Sequence, residues 1–138
     1  MQWQFSSPTP GAPVRVKVSF YYHYGIFVSR DSVIQFGLPD GPSRPAEEIR
    51  VLSTDVYTFL QGGDLEVGFP DRGERKKLRS ADQVVATAQS RIGEGDYDLL
   101  QNNCEHFMYA CLFGTSADPI SSSPCTRLLR KLGKHIKE

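Results

Sequence analysis

The chain has 138 residues, of which 39% are hydrophobic and 23% charged, so it is long enough for one globular domain with its own core. Sixteen basic residues balance sixteen acidic ones, which excludes the strong positive charge typical of nucleic-acid-binding proteins. No apolar run approaches the ~18 residues of a membrane span, and the first residues lack the charged and apolar regions of a signal peptide. The chain has three cysteines, a small and odd number that does not suit a disulfide framework, so we expect a cytoplasmic protein in a reducing compartment.

The first half of the chain is dominated by strand patterns. Residues 1–12 are rich in Ser and Pro and are predicted to be loose. The alternation in "VRVKVSF" and the β-branched and aromatic residues of "YYHYGIFV" predict two strands, and the turn "SRDS" leads into a third, "VIQF". Because these strands follow one another closely, they predict an antiparallel meander.

After the Pro- and Gly-rich loop "GLPDGPSRPAEE", the chain alternates between short elements. "IRVL" predicts a strand, "STDVYTFL" a short capped helix and "GGDLEVGF" a further strand, while "PDRGERKKLR" is turn-like. Two longer helices follow. Ser80 and Gln83 predict a capping box at the start of "SADQVVATAQSRI", and "NCEHFMYACLF" ends at Gly114 and is apolar on nearly all sides.

These elements predict an α+β domain, a small antiparallel sheet packed with helices, over residues 13–118. Residues 119–138 read as a linker followed by a basic, mildly amphipathic tail. The preferred interpretation of the tail is a solvated segment, and the alternative is peripheral contact with anionic lipid headgroups. Its basic residues are Arg127, Arg130, Lys131, Lys134 and Lys137.

Cys104 stands in "QNNCEHF", at the predicted start of the last helix. Asn102 or Asn103 is a favoured N-cap, which would place the thiol in the first helical turn. There the helix dipole and the unpaired amides favour an anion, so the position predicts a lowered thiol pKa and a nucleophilic cysteine. The alternative is an inert, buried thiol, which is our interpretation of Cys111 and Cys125.

A nucleophilic thiol needs a base, and the base needs a group that orients it. His23 lies within the strand "YYHYGIFV", where burying an imidazole without a partner is costly. Gln35 lies on the next strand, and a turn around residues 30–32 would make the two residues cross-strand neighbours on one face. An amide oxygen that accepts a hydrogen bond from the imidazole would complete a Cys-His-polar triad. We interpret His106 as a helix-start residue bonded to backbone or loop, and His135 as solvated.

A metal site is the other chemistry that these residue types allow. Cys104, His106, Cys111 and His23 are all of the types that bind zinc. The chain contains no CxxC or HxxxH pair, so we expect neither a metal nor a cofactor.

The segments "HYGIFV" and "NNCEHF", with a polar residue on the strand after the first, resemble the lecithin:retinol acyltransferase-like domain. The resemblance runs from about residue 14 to residue 117 and includes the blocks "VYTFLQGGDLEV" and "GDYDLLQNNCEHF". Such domains belong to the circularly permuted branch of the NlpC-type, papain-like thiol enzymes, in which the histidine precedes the cysteine. The resemblance therefore implies a circularly permuted papain-like fold.

The resemblance also implies roles for individual residues. Cys104 resembles the acylated nucleophile, and His23 resembles the general base. Gln35 falls where the acyltransferases usually have a second histidine; a glutamine can orient His23 but cannot share a proton, so the rate or pH dependence should differ. Tyr21 matches a tyrosine near the active site of some members, which implies contact with the oxyanion or substrate, and the alternative is a core tyrosine with a solvated hydroxyl. The backbone amide of Cys104 is a natural oxyanion donor.

The implied reaction is attack of Cys104 on an ester or amide carbonyl to form an acyl-thioester, followed by transfer of the acyl group to water or an amine. The substrate would be an acyl lipid, such as a phospholipid, or a peptide-like molecule. Two alternatives stay open at this point. One is an amidase or peptidase on the same triad, and the other is a catalytically silent interaction domain, which the glutamine at position 35 favours.

Overall fold

The computed structural model describes residues 1–40 and 43–114, and an antiparallel sheet of six strands lies at the centre of this part of the chain. The spatial order of the strands is β1-β6-β2-β3-β4-β5. In chain order they are β1 (Gln2–Phe5), β2 (Pro13–Val18), β3 (Tyr21–Ser29), β4 (Ser32–Phe36), β5 (Val51–Thr54) and β6 (Glu66–Phe69). The predicted meander is therefore confirmed, since β2, β3, β4 and β5 pair successively, each antiparallel to the next.

Helices cover both faces of the sheet, which confirms the predicted α+β class. The helices are α1 (Val56–Leu60), α2 (Arg72–Arg75), α3 (Ala81–Ser90) and α4 (Cys104–Phe113), and one turn of 3-10 helix spans Ala46–Glu48. On one face α3 and α4 pack over β3, with Tyr24 and Ile26 in the shared core. On the other face Phe27 packs with Phe59 of α1. Neighbouring residues of a strand point to opposite faces, so a single strand supplies both cores.

The two predicted long helices begin where their local signals indicate, and α4 also ends at its predicted glycine, whereas α3 ends at Ser90, two residues before the end of the predicted segment. In α3 the backbone N–H of Gln83 donates to Ser80 Oγ at 3.2 Å, and the N–H of Ser80 donates to Gln83 Oε1 at 3.1 Å, which completes the predicted capping box. Helix α4 is buried along nearly its whole length and ends at Gly114, whose φ of 77° lies in the left-handed region that glycine adopts readily. The buried surroundings of α4 agree with the absence of a polar face in its sequence.

The N-terminal segment differs from the prediction. Residues 2–5 are not loose; they form β1 and pair with β6, as in the register Trp3↔Gly68. The Trp3 ring lies 5.6 Å from the Tyr24 ring and 4.6 Å from the Arg15 guanidinium carbon. The composition of the segment does not reveal this partner, because β6 lies some sixty residues further along the chain.

Two smaller differences concern the middle of the chain. The stretch that reads as turn-like contains α2, which Asp71 and Glu74 begin with a reciprocal capping box. The strand predicted from "IRVL" begins later, at Val51, and runs to Thr54.

The predicted linker and basic tail, residues 119–138, lie outside the described residues, so their roles stay predictions. Within residues 1–40 and 43–114, no helix has the length and apolar character needed to span a membrane.

Candidate active site

The N-terminus of α4 presents Cys104 as its first helical residue, as predicted. Of the two candidate caps, Asn103 is the one used: its Oδ1 accepts from the backbone N–H of Glu105 at 3.0 Å and of His106 at 3.1 Å. The Nδ2 of Asn103 donates to the carbonyl of Leu99 at 2.9 Å, which anchors the cap to the preceding loop. The Cys104 side chain is 6% exposed, so the thiol lies in a protected position at the positive end of a buried helix.

His23 and Gln35 meet as the sequence predicts. His23 Nε2 lies 2.9 Å from Gln35 Oε1, and the two side chains are 2% and 0% exposed. An amide oxygen can only accept, so His23 Nε2 carries the proton and donates it. In the neutral ring the other nitrogen, Nδ1, then holds the lone pair and is the nitrogen that can take up a proton.

The surroundings keep His23 neutral. Burial lowers its pKa from 6.5 to about 4, although the hydrogen bond to Gln35, the charge of Asp40 and the backbone of Gly37 all act to raise it. The ring of Phe59, from α1, lies 5.4 Å from the imidazole centroid to centroid and contributes to this burial. At pH 7 His23 is therefore an uncharged imidazole, the form that can act as a base.

Helix α4 and the pair formed by His23 and Gln35 lie on the same two strands but on opposite faces of them. That helix lies against β3 and β4, the two strands that carry His23 and Gln35. The structure brings His23 and Gln35 into direct contact with each other, and the His23 ring lies beside Phe59 of α1. Cys104 begins the helix that packs on the opposite face of β3, with Tyr24 and Ile26, and it is not among the described contacts of His23 or Gln35. Tyr21, two residues before His23 on β3, donates its hydroxyl proton to the carbonyl of Pro39 at 2.6 Å. Contact between this hydroxyl and an oxyanion would require that bond to be exchanged.

Comparison with known proteins identifies the family of the chain. A family model described as Lecithin retinol acyltransferase matches residues 6–117. The chain belongs to the lecithin retinol acyltransferase family. This confirms the resemblance that the two motifs indicate.

Individual relatives in this family are moderately similar to the chain. It is 29% identical to Lecithin retinol acyltransferase of Bos taurus over 89% of its own length and 62% of that protein, and 28% identical to the Mus musculus protein over 85% and 59%. It is also 29% identical to Phospholipase A and acyltransferase 1 of Rattus norvegicus, over 78% of the chain and 70% of that protein. The chain thus spans about three fifths of the length of the lecithin retinol acyltransferases that it matches.

Two residues near the site of this family member escaped the sequence analysis. Thr54, at the end of β5, accepts a hydrogen bond from Gln35 Nε2 at 2.9 Å. Its signal in the sequence is weak, since it lies on a strand whose pairing with β4 cannot be read from composition. Phe59 carries no signal at all, because only the packing of α1 brings its ring to His23.

The remaining described candidates have structural partners. The backbone N–H of Asn103 donates to His106 Nδ1 at 3.2 Å, which confirms the interpretation of His106 as a helix-start residue. Burial raises the pKa of the Cys111 thiol to about 12, although the charges of Arg91 and Arg79 act to lower it, so this thiol stays protonated.

Among the described residues, no three His, Cys, Asp or Glu side chains form a group that could hold a metal ion. Cys125 and His135 lie outside the described residues.

Proposed function

We propose that this chain is a cysteine-dependent acyltransferase or hydrolase that forms an acyl-thioester on Cys104 from an ester or amide substrate. Its membership of a family whose relatives are named as acyltransferases supports this reaction class. The observation that carries the proposal is the buried hydrogen bond between His23 Nε2 and Gln35 Oε1, because it prepares the imidazole as a base.

The neutrality of His23 favours one form of the mechanism over another. Because burial lowers the pKa of His23 to about 4, a resting imidazolium–thiolate pair is disfavoured, and the imidazole is neutral at rest. In the proposed step His23 Nδ1 takes the proton of Cys104 as the sulfur attacks the substrate carbonyl, which requires the two side chains to approach each other from the opposite faces of β3 on which they lie here. The tetrahedral oxyanion is stabilised by backbone amides at the start of α4, including that of Cys104.

Collapse of this intermediate breaks the bond to the leaving group and forms the thioester. His23 returns its proton to the leaving alcohol or amine, so no charge accumulates in the buried site. In the second half, His23 deprotonates water or an amine as it attacks the thioester, and Cys104 leaves as a thiol. Gln35 keeps the imidazole in the productive tautomer through both halves.

For the substrate we propose a phospholipid ester. The names of two kinds of relative, Lecithin retinol acyltransferase and Phospholipase A and acyltransferase 1, both refer to acyl transfer or cleavage involving phospholipids. An amide substrate uses the same thioester chemistry and is the alternative that a substrate screen would detect.

The test is trapping of the acyl-enzyme. The folded protein is incubated at pH 7 with a p-nitrophenyl acyl ester and, separately, with phosphatidylcholine vesicles, and the adducts are located by mass spectrometry. We expect a single acyl group on Cys104, its loss in Cys104→Ser, and a strong reduction in His23→Gln. The Cys111→Ala variant is the matched control and should acylate normally, because the Cys111 thiol is buried and protonated.

Other outcomes would contradict the proposal in different ways. Acylation that persists in Cys104→Ser at a residue other than position 104 would exclude Cys104 as the nucleophile. No adduct from either substrate, with thiols that react equally and only after denaturation, would indicate a catalytically silent domain of the same fold. Turnover of peptide-like amides but not of esters would instead assign the amidase function.

A further inference from the structure

The Gln35 side chain ends in an oxygen and a nitrogen of similar size, and only one of its two orientations suits His23. In the structure Oε1 faces His23 Nε2, while Nε2 of Gln35 donates to the Val33 carbonyl at 3.2 Å and to Thr54 Oγ1 at 2.9 Å. Rotation of the amide by half a turn would direct its oxygen at the Val33 carbonyl, an acceptor without a proton to give. The same rotation would direct the amide N–H groups at His23.

Such a rotation would change the chemistry of the base. An imidazole whose Nε2 faces an N–H group must accept there, so its proton moves to Nδ1. His23 Nδ1 would then be unable to take the thiol proton. The orientation of the Gln35 amide therefore determines which nitrogen of His23 is basic.

Thr54 opposes that rotation from the neighbouring strand. Strand β5 pairs with β4 in the register Val33↔Thr54, which brings the Thr54 hydroxyl beside the Gln35 amide. The hydroxyl donates its own proton to the carbonyl of Asp55 at 3.0 Å, so its oxygen presents lone pairs to Gln35 Nε2. A continuous series of hydrogen bonds thus runs from the His23 N–H through the Gln35 amide and the Thr54 hydroxyl to the carbonyl of Asp55, and each member donates to the next.

We propose that Thr54 is a positioning residue, which orients the Gln35 amide and thereby selects the Nε2–H tautomer of His23. The catalytic consequence rests on the proposed function, whereas the tautomer is a property of the fold that can be measured without any substrate. Thr54 acts through Gln35 and needs no contact with the reacting atoms.

The tautomer is observed by ¹H–¹⁵N correlation spectroscopy of protein labelled at its histidine nitrogens, at pH 7, with His23 signals assigned from the His23→Gln spectrum. In the wild-type protein we expect one species with the proton on Nε2. Thr54→Val keeps the shape of the side chain but removes the hydroxyl, so that only the Val33 carbonyl still opposes the rotation. We expect the second tautomer, absent from the wild-type spectrum, to become detectable. Thr54→Ser restores the hydroxyl and should restore the single species.

Ser53→Ala is the matched control. Ser53 precedes Thr54 on β5 and shares a 2.7 Å hydroxyl contact with Ser32 of β4, so the change removes a hydrogen bond between the same two strands without contact with Gln35. Its His23 signals should equal those of the wild type. On a p-nitrophenyl ester, Thr54→Val should lower kcat roughly tenfold with KM nearly unchanged, while Thr54→Ser and Ser53→Ala stay within about twofold of the wild type.

Two results would overturn the inference. One is a wild-type spectrum with the His23 proton on Nδ1, which needs no variant to fold. The other is a Thr54→Val spectrum identical to that of Ser53→Ala; if Thr54→Val does not fold, Thr54→Ala provides the same comparison. Failure of the proposed function would appear differently, as a correct tautomer in a protein that forms no adduct on Cys104.

Discussion

Acidification should destabilise this protein specifically through His23. Its pKa is about 4 in the folded state and 6.5 as the ordinary value, so between these pH values the unfolded chain binds a proton that the folded one does not. The stability contributed by the neutral ring is therefore complete above pH 6.5 and is lost as the pH falls to about 4. This loss of unfolding free energy amounts to about 3 kcal/mol, since a shift of one pKa unit corresponds to about 1.4 kcal/mol. That is a large part of the 5–15 kcal/mol by which a typical domain is stable.

Urea unfolding followed by circular dichroism at half-unit intervals from pH 7 to pH 4 measures this dependence. The reference is His23→Gln, in which an amide N–H can still donate to Gln35 but nothing titrates at that position. Carboxyl groups contribute equally to both proteins, so we compare only the change in unfolding free energy with pH. The wild type should lose about 3 kcal/mol more than the variant, or about 2 M in the urea midpoint. Parallel pH dependences of the two proteins would refute the burial argument and, with it, the claim that the resting histidine is neutral.

Three further changes test the packing around the site, each by urea unfolding at pH 7. Gly25→Ala should destabilise the folded protein by about 1–3 kcal/mol, because an added Cβ would lie 3.0 Å from Val33 Cγ1 on the neighbouring strand. Gly73→Ala, in α2, is the control: its added Cβ has room, so the change should be neutral or stabilising. Equal effects of the two changes would contradict the close packing at Gly25. Asn103→Ala should cost about 2 kcal/mol through loss of the α4 cap, and a variant as stable as the wild type would show the cap to be dispensable. Arg15→Lys should lower the free energy of unfolding by about 1 kcal/mol, because the guanidinium carbon lies 3.8 Å from the Tyr22 ring centroid and the group donates twice to Glu66 Oε1, which an ammonium cannot reproduce. An unchanged urea midpoint would contradict this role of the guanidinium.

The parts of the fold that could be predicted from sequence are those whose interactions are local. The capping boxes and the glycine at the end of α4 act within a few residues, so their signals stand next to one another in the chain. The meander is similarly local, because each strand pairs with the next. His23 and Gln35 are only twelve positions apart on adjacent strands of one hairpin, which is why alternation and a short turn were enough to bring them together.

Most contacts that escaped prediction join distant segments; the exception is the capping box of α2, a local signal within a charged stretch that reads as a turn. Strand β1 pairs with β6, and Thr54 reaches Gln35 across nineteen positions. Phe59 contacts His23 only because a short helix folds over the far face of the sheet. Neither alternation nor propensity carries information about such partners, since many alternative pairings would satisfy the same pattern.

The sequence by itself determined the α+β class, the starts of α1, α3 and α4, the family, and Cys104, His23 and Gln35 as candidate site residues. Only the tertiary structure decided the protonation state of that site. Burial of His23 lowers its pKa to about 4, and the partners of the Gln35 amide decide which nitrogen holds the proton. The residue type determines which protons a side chain can exchange. Its pKa and tautomer depend on how much solvent is excluded from the side chain and on the hydrogen-bonding groups around it. Those groups belong to segments that only folding brings together.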